Sequence, residues 1–500
     1  MHHDEGTGHA VPLAALLGAA GIGEPNGTLP EVTGLTPDSR AVKPGMLFVA
    51  LPGARMDGRA FIPQAVAQGA AAVLAPEGTG WPAGVAARPL LTAADPRRAL
   101  ARMAAAFHGA QPATVVAMTG TNGKTSTVDF VRQIWTATGR RAASLGTLGL
   151  VAPGFLPGPS LTTPDPVSLH ASLAALARAG VDAAAMEASS HGIEQRRLDG
   201  VRLVAAGFSN LTRDHLDYHG TMEAYRSAKL RLFDTLLPSG AAAAVNADMD
   251  AETLAALRAI ATSRAHRLLT VGEAGDDVRL LAQTPRPDGQ ELRIRAFGAE
   301  TSLHLNLPGR FQADNLLMAL ALTVGAGLAA EAALAALPRM AGVRGRMELA
   351  ARLPNGAAVY VDYAHTPDAL DRLLAALRPH VAPGARLHVL FGAGGERDPG
   401  KRPLMGRAAA AHADQVWITD DNPRSEDPAA IRAAVLTGCP GAREVGDRAR
   451  AIAAAMSDLQ PGDVLAVAGK GHESGQTVAG VTHPFDDAEV VRGLAGEIAA

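Results

Sequence analysis

Thr114-Val115-Val116-Ala117-Met118-Thr119-Gly120-Thr121-Asn122-Gly123-Lys124-Thr125-Ser126 reads as a short buried strand that runs into a glycine-bearing loop and then a helix. An apolar, β-branched run ends at Met118. Gly120 and Gly123 then let the backbone curl around an anion, and the following helix, expected over 126–138, aims its first N–H groups at it. Lys124 would neutralise the β/γ-phosphates of a nucleotide and Thr125 would hold Mg²⁺. The general phosphate-loop pattern wants glycine five residues before Gly123, where this chain has Met118.

Working outward, apolar strand-like runs recur at 183–186 and 204–208. With Ala-rich helices between them they predict a mostly parallel α/β sheet. A Gly- and Arg-rich stretch at 339–346 separates this region from a third. There 357–361, Leu387–Phe391, 416–419 and Val464–Ala468 read as strands of a smaller doubly wound unit. Upstream, short apolar runs at 46–51 and 70–74 lie between Gly and Pro turns. The expectation is three α/β domains: an N-terminal substrate-binding domain (1–109), a central P-loop ATPase-type domain with a mostly parallel sheet (110–342), and a C-terminal Rossmann-like domain (343–500). Five hundred residues are too many for one core.

Composition narrows the class. The chain is 47% hydrophobic and 19% charged, so it can bury large cores. With 46 basic and 49 acidic residues, its net charge of −3 gives no broad reason to bind nucleic acid or an anionic membrane. Cys439 is the one cysteine, which excludes an internal disulfide and suits a reducing compartment. No Lys or Arg precedes Arg40, so the early apolar stretch lacks a signal peptide's positive flank. The apolar run 316–330 ends at Glu331, short of a membrane span, and is read as a buried helix. A soluble, cytoplasmic monomer is expected.

Further motifs carry chemistry. Glu187 closes the run Ala183-Ala184-Ala185-Met186, where α/β sheets place their sites, and its oxygens suit Mg²⁺. Asn210-Leu211-Thr212-Arg213-Asp214-His215-Leu216-Asp217-Tyr218-His219-Gly220 packs His, Asp and Arg into a Gly-ended loop. Together with the shortened phosphate loop and matches from about Thr36 to Asp486, these make the chain resemble the Mur ligases and the folylpolyglutamate synthetases.

That resemblance implies an ATP- and Mg²⁺-dependent ligase with its nucleotide between the second and third domains. Gly120, Thr121, Asn122, Gly123, Lys124, Thr125 and Ser126 would cradle phosphates. Asn315 would face adenine, Arg346 the phosphates and Asp362 the ribose. Metal ligands would be Thr125, Glu187, His215 and Lys229, the last as a carbamate in Tyr225-Arg226-Ser227-Ala228-Lys229. Lys124, Glu187, His215, Lys229 and Arg346 form the implied catalytic set. The UDP-muramoyl dipeptide, UDP-MurNAc-L-Ala-D-Glu, would contact Ser39, Ala54, Arg55, Met56, Thr162, Thr163, Ser189, Gln195 and Arg197.

Acceptor choice is implied by Asp421-Asn422-Pro423-Arg424, the tetrapeptide of relatives that add meso-diaminopimelate. A guanidinium can grip the second carboxylate, which lysine lacks. Arg397, Gly469 and Glu473 complete the implied diaminopimelate set, Glu473 facing the ammonium. The implied route is carboxylate attack on ATP, an acyl phosphate, then amine attack. The alternatives are lysine or a folate glutamate tail as acceptor, or a nucleotide-binding regulatory protein that has lost catalysis.

Overall fold

The computed structural model describes residues 10–23, 28–53, 56–156, 158, 161–286 and 289–499. They form two compact units, one of Met1–Thr270 with Met318–Ala329, the other of Val271–Leu317 with Ala330–Ala500.

Two sheets position the site in the first unit, beside a two-stranded pair of Val11–Pro12 with Glu31–Val32. The smaller has parallel strands β1 (Leu35–Thr36), β2 (Leu47–Val49), β3 (Ala72–Pro76) and β4 (Leu90–Ala93), in that spatial order. Leu47, Val49, Leu74 and Leu91 point into one core with Leu13, Leu16 and Leu17 of the helix Leu13–Ala20. The larger sheet contains β5 (Thr114–Thr119), β6 (Ala142–Gly146), β7 (Gly149–Val151), β8 (Ala183–Glu187), β9 (Leu203–Phe208) and β10 (Ala242–Asn246). Among these six strands the order is β10-β9-β5-β8-β6-β7, parallel except for β7. Near-continuous burial along β5 and β8 fits strands covered on both faces. The chain leaves this unit along β11 (Arg267–Gly272) and re-enters it for Met318–Ala329, where Leu322, together with Met118 of β5, fills the space that a side chain on Gly207 of β9 would need.

In the second unit, β12 (Val278–Arg286), β13 (Gly289–Ala296) and β14 (Ala299–Leu305) make an antiparallel meander. A six-stranded sheet follows: β15 (Glu348–Arg352), β16 (Ala358–Asp362), β17 (Leu387–Phe391), β18 (Gln415–Ile418), β19 (Arg443–Glu444) and β20 (Val464–Ala468). The order β15-β16-β20-β17-β18-β19 is parallel apart from β15. Helices on both faces bury two apolar clusters, as a doubly wound sheet requires. A hairpin, β21 (Gly475–Val478) with β22 (Val481–Pro484), completes the unit.

Two expectations shift. The helix read over 126–138 begins earlier, at Lys124, because Gly123 adopts φ 86° and turns the chain into its first helical residue there. The apolar run 316–330 is only partly one helix: that helix spans Arg310–Gly325 and ends before Gly327, which takes φ 98°. Among the described residues no helix is long and apolar enough to cross a membrane.

Candidate active site

The register of the larger sheet in the first unit sets the site. Glu187 pairs with Met118 across β8 and β5, so the carboxylate lies beside the start of the phosphate loop. The loop is held by its neighbour. Thr121 N–H donates to the Asn210 carbonyl at 2.8 Å, Asn122 N–H to Asn210 Oδ1 at 3.0 Å, and Ser209 Oγ to the Asn122 carbonyl at 2.6 Å. Lys124 Nζ bonds the Gly120 and Thr121 carbonyls at 2.9 and 2.8 Å, and the Thr125 and Ser126 side chains start the helix, nearly buried.

Glu187 is itself buried and oriented. Thr147 N–H donates to Oε1 at 2.7 Å and Thr147 Oγ1 to Oε2 at 3.3 Å. A Cβ on Gly146 would stand 2.1 Å from Oε1, so only glycine leaves room for the carboxylate. Thr163 bridges backbone and side chain: it donates to the Glu187 carbonyl at 2.9 Å and accepts from Ser189 N–H at 3.0 Å. Arg197 donates to the Thr163 carbonyl at 2.6 Å and to Gln195 Oε1 at 2.7 Å, while Thr162 bonds Thr147 at 3.1 Å. Thr162, Thr163, Ser189, Gln195 and Arg197 are thus brought together around Glu187.

Lys229, on the helix Met222–Arg231, is 1% exposed. Its ammonium donates to the Gly120 carbonyl at 2.8 Å and lies 4.6 Å from the Tyr225 ring centre. Burial, with Lys124 nearby, pushes its pKa well below the ordinary lysine range. His215 has φ 51° and is half exposed, with its ring 5.0 Å from His191 and 6.2 Å from Tyr225. The 210–220 loop contains a short helix, Leu216–His219, and His219 is tied to Ser190 Oγ at 3.0 Å.

Among the described residues there is no group of three or more His, Cys, Asp and Glu side chains placed to hold a metal. Mg²⁺ does not need one, since it is commonly held by one or two protein oxygens together with substrate phosphates. The Thr125 hydroxyl and Glu187 carboxylate are oxygen donors of that kind.

Ser39 is buried and donates to Gln64 Oε1 at 3.1 Å, at the start of the Asp38-capped turn after β1. Met56 is exposed, and Ala54 and Arg55 lie outside the described residues.

The second unit collects the other residues at the C-terminal ends of its strands. Asp362 pairs with Ala468 across β16 and β20. Its Oδ2 accepts from Met347 N–H at 2.7 Å and its Oδ1 from Ala364 N–H at 2.8 Å. Desolvation pushes this carboxyl up despite Arg346, whose guanidinium lies 4.6 Å from the Tyr363 ring centre. Gln312 donates to the Arg346 carbonyl at 2.9 Å, and Asn315 is buried on the same helix. Gly345, at φ 64°, lies so close to the next loop that a Cβ would be 2.2 Å from His472 N.

After β18, Asn422 Nδ2 donates to Glu473 Oε2 at 3.0 Å, and Gly395 N–H to the Asn422 carbonyl at 2.9 Å. Arg424 sits at φ 54°, fixed by its N–H to the Thr477 carbonyl at 3.0 Å, with its guanidinium on the Gly395 carbonyl. Pro423 lies between them, and Gly469 adopts φ 117° beside Asp421. Arg397 is exposed. Arg448 is fully buried and bonds Asp487 twice at 2.7 Å. It also donates to the Ala468 carbonyl at 2.9 Å, and so anchors the end of β20. Sequence reasoning missed Thr147 and Arg448, which carry no motif, and gave Lys470 no role although it lies in Ala468-Gly469-Lys470-Gly471-His472-Glu473; all three are recognisable by their partners.

Three family models match: "Mur ligase family, catalytic domain" over 31–108, "Mur ligase middle domain" over 118–323, and "Mur ligase, glutamate ligase domain" over 345–471. The UDP-N-acetylmuramoyl-L-alanyl-D-glutamate–2,6-diaminopimelate ligase of Caulobacter vibrioides is 55% identical over 479 residues, 94% of this chain and 97% of that protein. A solved structure of a ligase with the same printed name is 33% identical. It covers 98% of this chain and 100% of its own, with a TM-score of 0.72. The MurF ligase of Thermotoga maritima, solved with ADP, shares the fold at 19% identity and a TM-score of 0.60, covering 93% of this chain and 97% of that one.

Proposed function

The chain belongs to the Mur ligase family, and from that premise we infer that it is an ATP-dependent ligase joining meso-diaminopimelate to the D-glutamyl γ-carboxylate of UDP-MurNAc-L-Ala-D-Glu, in peptidoglycan precursor synthesis. The observation that carries this reading is 55% identity over nearly the full length, joined to Asp421-Asn422-Pro423-Arg424 at the end of β18. The protein works as a cytoplasmic monomer, organised as a UDP-muramoyl-binding domain over 1–109, an ATP-binding domain over 110–342 and an acceptor domain over 343–500.

The γ-carboxylate attacks the ATP γ-phosphorus and displaces ADP, and the resulting acyl phosphate takes the acceptor amine, forming the amide and releasing phosphate and a proton. Lys124 and Arg346 offset charge on the transferring phosphoryl group. Asn315 and Asp362 hold the adenosine side. Thr125, Glu187, His215 and a carbamate on Lys229 would hold Mg²⁺, which would supply charge screening for the phosphate oxygens. The arrangement around Glu187 supports this, since Thr147 orients the carboxylate and Lys229 is desolvated, as carbamate formation requires. Thr162, Thr163, Ser189, Gln195 and Arg197 orient the muramoyl dipeptide, and Ser39, Ala54, Arg55 and Met56 its UDP end. Arg397, Asp421, Asn422, Pro423, Arg424, Gly469 and Glu473 take diaminopimelate. No side chain acts as nucleophile, so positioning supplies most of the rate.

Phosphate release with diaminopimelate, lysine and glutamate as acceptors tests the function. Diaminopimelate alone should support turnover. Arg424→Ala should lower kcat/KM for diaminopimelate by roughly 30- to 1000-fold, the equivalent of about 2–4 kcal/mol for a desolvated carboxylate left unpaired. Lysine should stay a poor substrate, because the change removes an attraction without adding a repulsion. If Arg424→Ala handles diaminopimelate as wild type does, Arg424 does not read that carboxylate.

A further inference from the structure

Lys470 follows β20 and is fully buried. A buried ammonium is costly unless its three donors find partners. Those of Lys470 face Asn422 Oδ1 at 3.2 Å, Glu473 Oε2 at 3.4 Å and Asp421 Oδ1 at 3.7 Å. Each partner belongs to the diaminopimelate set. Asn422 is locked between them: its Oδ1 accepts from Lys470 and from Thr477 N–H at 2.9 Å, while its Nδ2 donates to Glu473 Oε2 at 3.0 Å.

Charge makes the same point. Asp421 and Glu473 are two carboxylates drawn to one ammonium, and without it their mutual repulsion would drive them apart. Arg448 and Lys401 also lie in the field of Asp421, but their side-chain hydrogen bonds go to other partners. Arg448 is matched by Asp487, and Lys401 donates to the His365 carbonyl at 3.1 Å. Lys470 is the cation whose ammonium faces both carboxylates, at 3.7 and 3.4 Å, and so holds them together beside Asn422.

We propose that Lys470 is a positioning residue of the acceptor site, which sets the geometry and net charge of Asp421, Asn422 and Glu473 for the ammonium of the amino acid without touching it. This rests on the acceptor site proposed above.

The test is steady-state kinetics of the full chain with ATP, the UDP-muramoyl dipeptide and diaminopimelate each varied in turn. Lys470→Met, similar in length but uncharged, should raise KM for diaminopimelate on the order of 30-fold or more while KM for the other two substrates stays within about threefold. Lys470→Arg, which keeps the charge, should bring KM for diaminopimelate back toward the wild-type value. Lys470→Gln replaces the Met variant if that does not fold. An unchanged KM for diaminopimelate, a rise of all three KM values together, or failure of both uncharged variants to fold would reduce Lys470 to a scaffold residue and overturn the proposal. Wild-type protein that cannot use diaminopimelate would overturn the function itself, a different outcome from a flat response to Lys470→Met in an enzyme that can.

Discussion

Lys124 and Lys229 converge on one acceptor, the Gly120 carbonyl, at 2.9 and 2.8 Å. Two ammonium groups that close favour loss of a proton from the more buried one, Lys229, whose neutral amine can then capture CO₂ as a carbamate. Lys229→Ala should be nearly inactive, and millimolar acetate or formate in the assay should restore part of the rate. An unmodified Lys229 facing solvent in a substrate-bound crystal would count against the carbamate. Lys124→Ala should lose most ligation yet keep its circular dichroism and melting point; normal ATP turnover by that variant would sink the phosphate-loop assignment. Both lysines were legible in the sequence because each sits in a local motif. The roles of Thr147 and Lys470 were not. Thr147 meets Glu187 from 40 residues away, and Lys470 meets Asn422 from 48, so only the fold brings those partners together.

Among elements, the strands were the most legible. Leu387–Phe391 and Val464–Ala468 form as read, since buried parallel strands are short apolar runs bounded by turn residues. Helix limits were less so, because a glycine in the left-handed region decides where the backbone enters or leaves the helix, as at Gly123 and Gly327. The close approach of β6 to β8 gives a prediction. Gly146→Ala places a methyl group against Glu187 Oε1, and the carboxylate must turn away from Thr147. Ligation should fall by roughly 10- to 100-fold, as for loss of one oriented charged group, and the Mg²⁺ concentration needed for half-maximal rate should rise. A variant with wild-type Mg²⁺ dependence would remove Glu187 from the metal site.

At the scale of the molecule, buried neutral histidines link stability to pH. Burial pushes His170 down to about 4, and its Nε2 bonds the Asp199 carbonyl at 3.3 Å. Burial also lowers His380 and His388. A folded-state pKa below the unfolded 6.5 means that the unfolded chain binds the proton first as pH falls. For His170 the contribution is therefore fully present above pH 6.5 and is lost between there and about pH 4, roughly 3 kcal/mol in all. Urea midpoints at pH 7.5 and 4.5 should differ less for His170→Gln than for wild type; an equal difference in the two proteins would rule out this role. The threading of the chain through its two units was not legible from local patterns, because it depends on Met318–Ala329 returning to the first. That return has a consequence during synthesis. At about 5–20 residues per second, some three to twelve seconds pass between the emergence of Thr270 and that of Ala329 from the ribosome. Over that interval the nascent first unit carries an unfilled seat beside Gly207, and a chaperone that shields exposed apolar surface has its opening there.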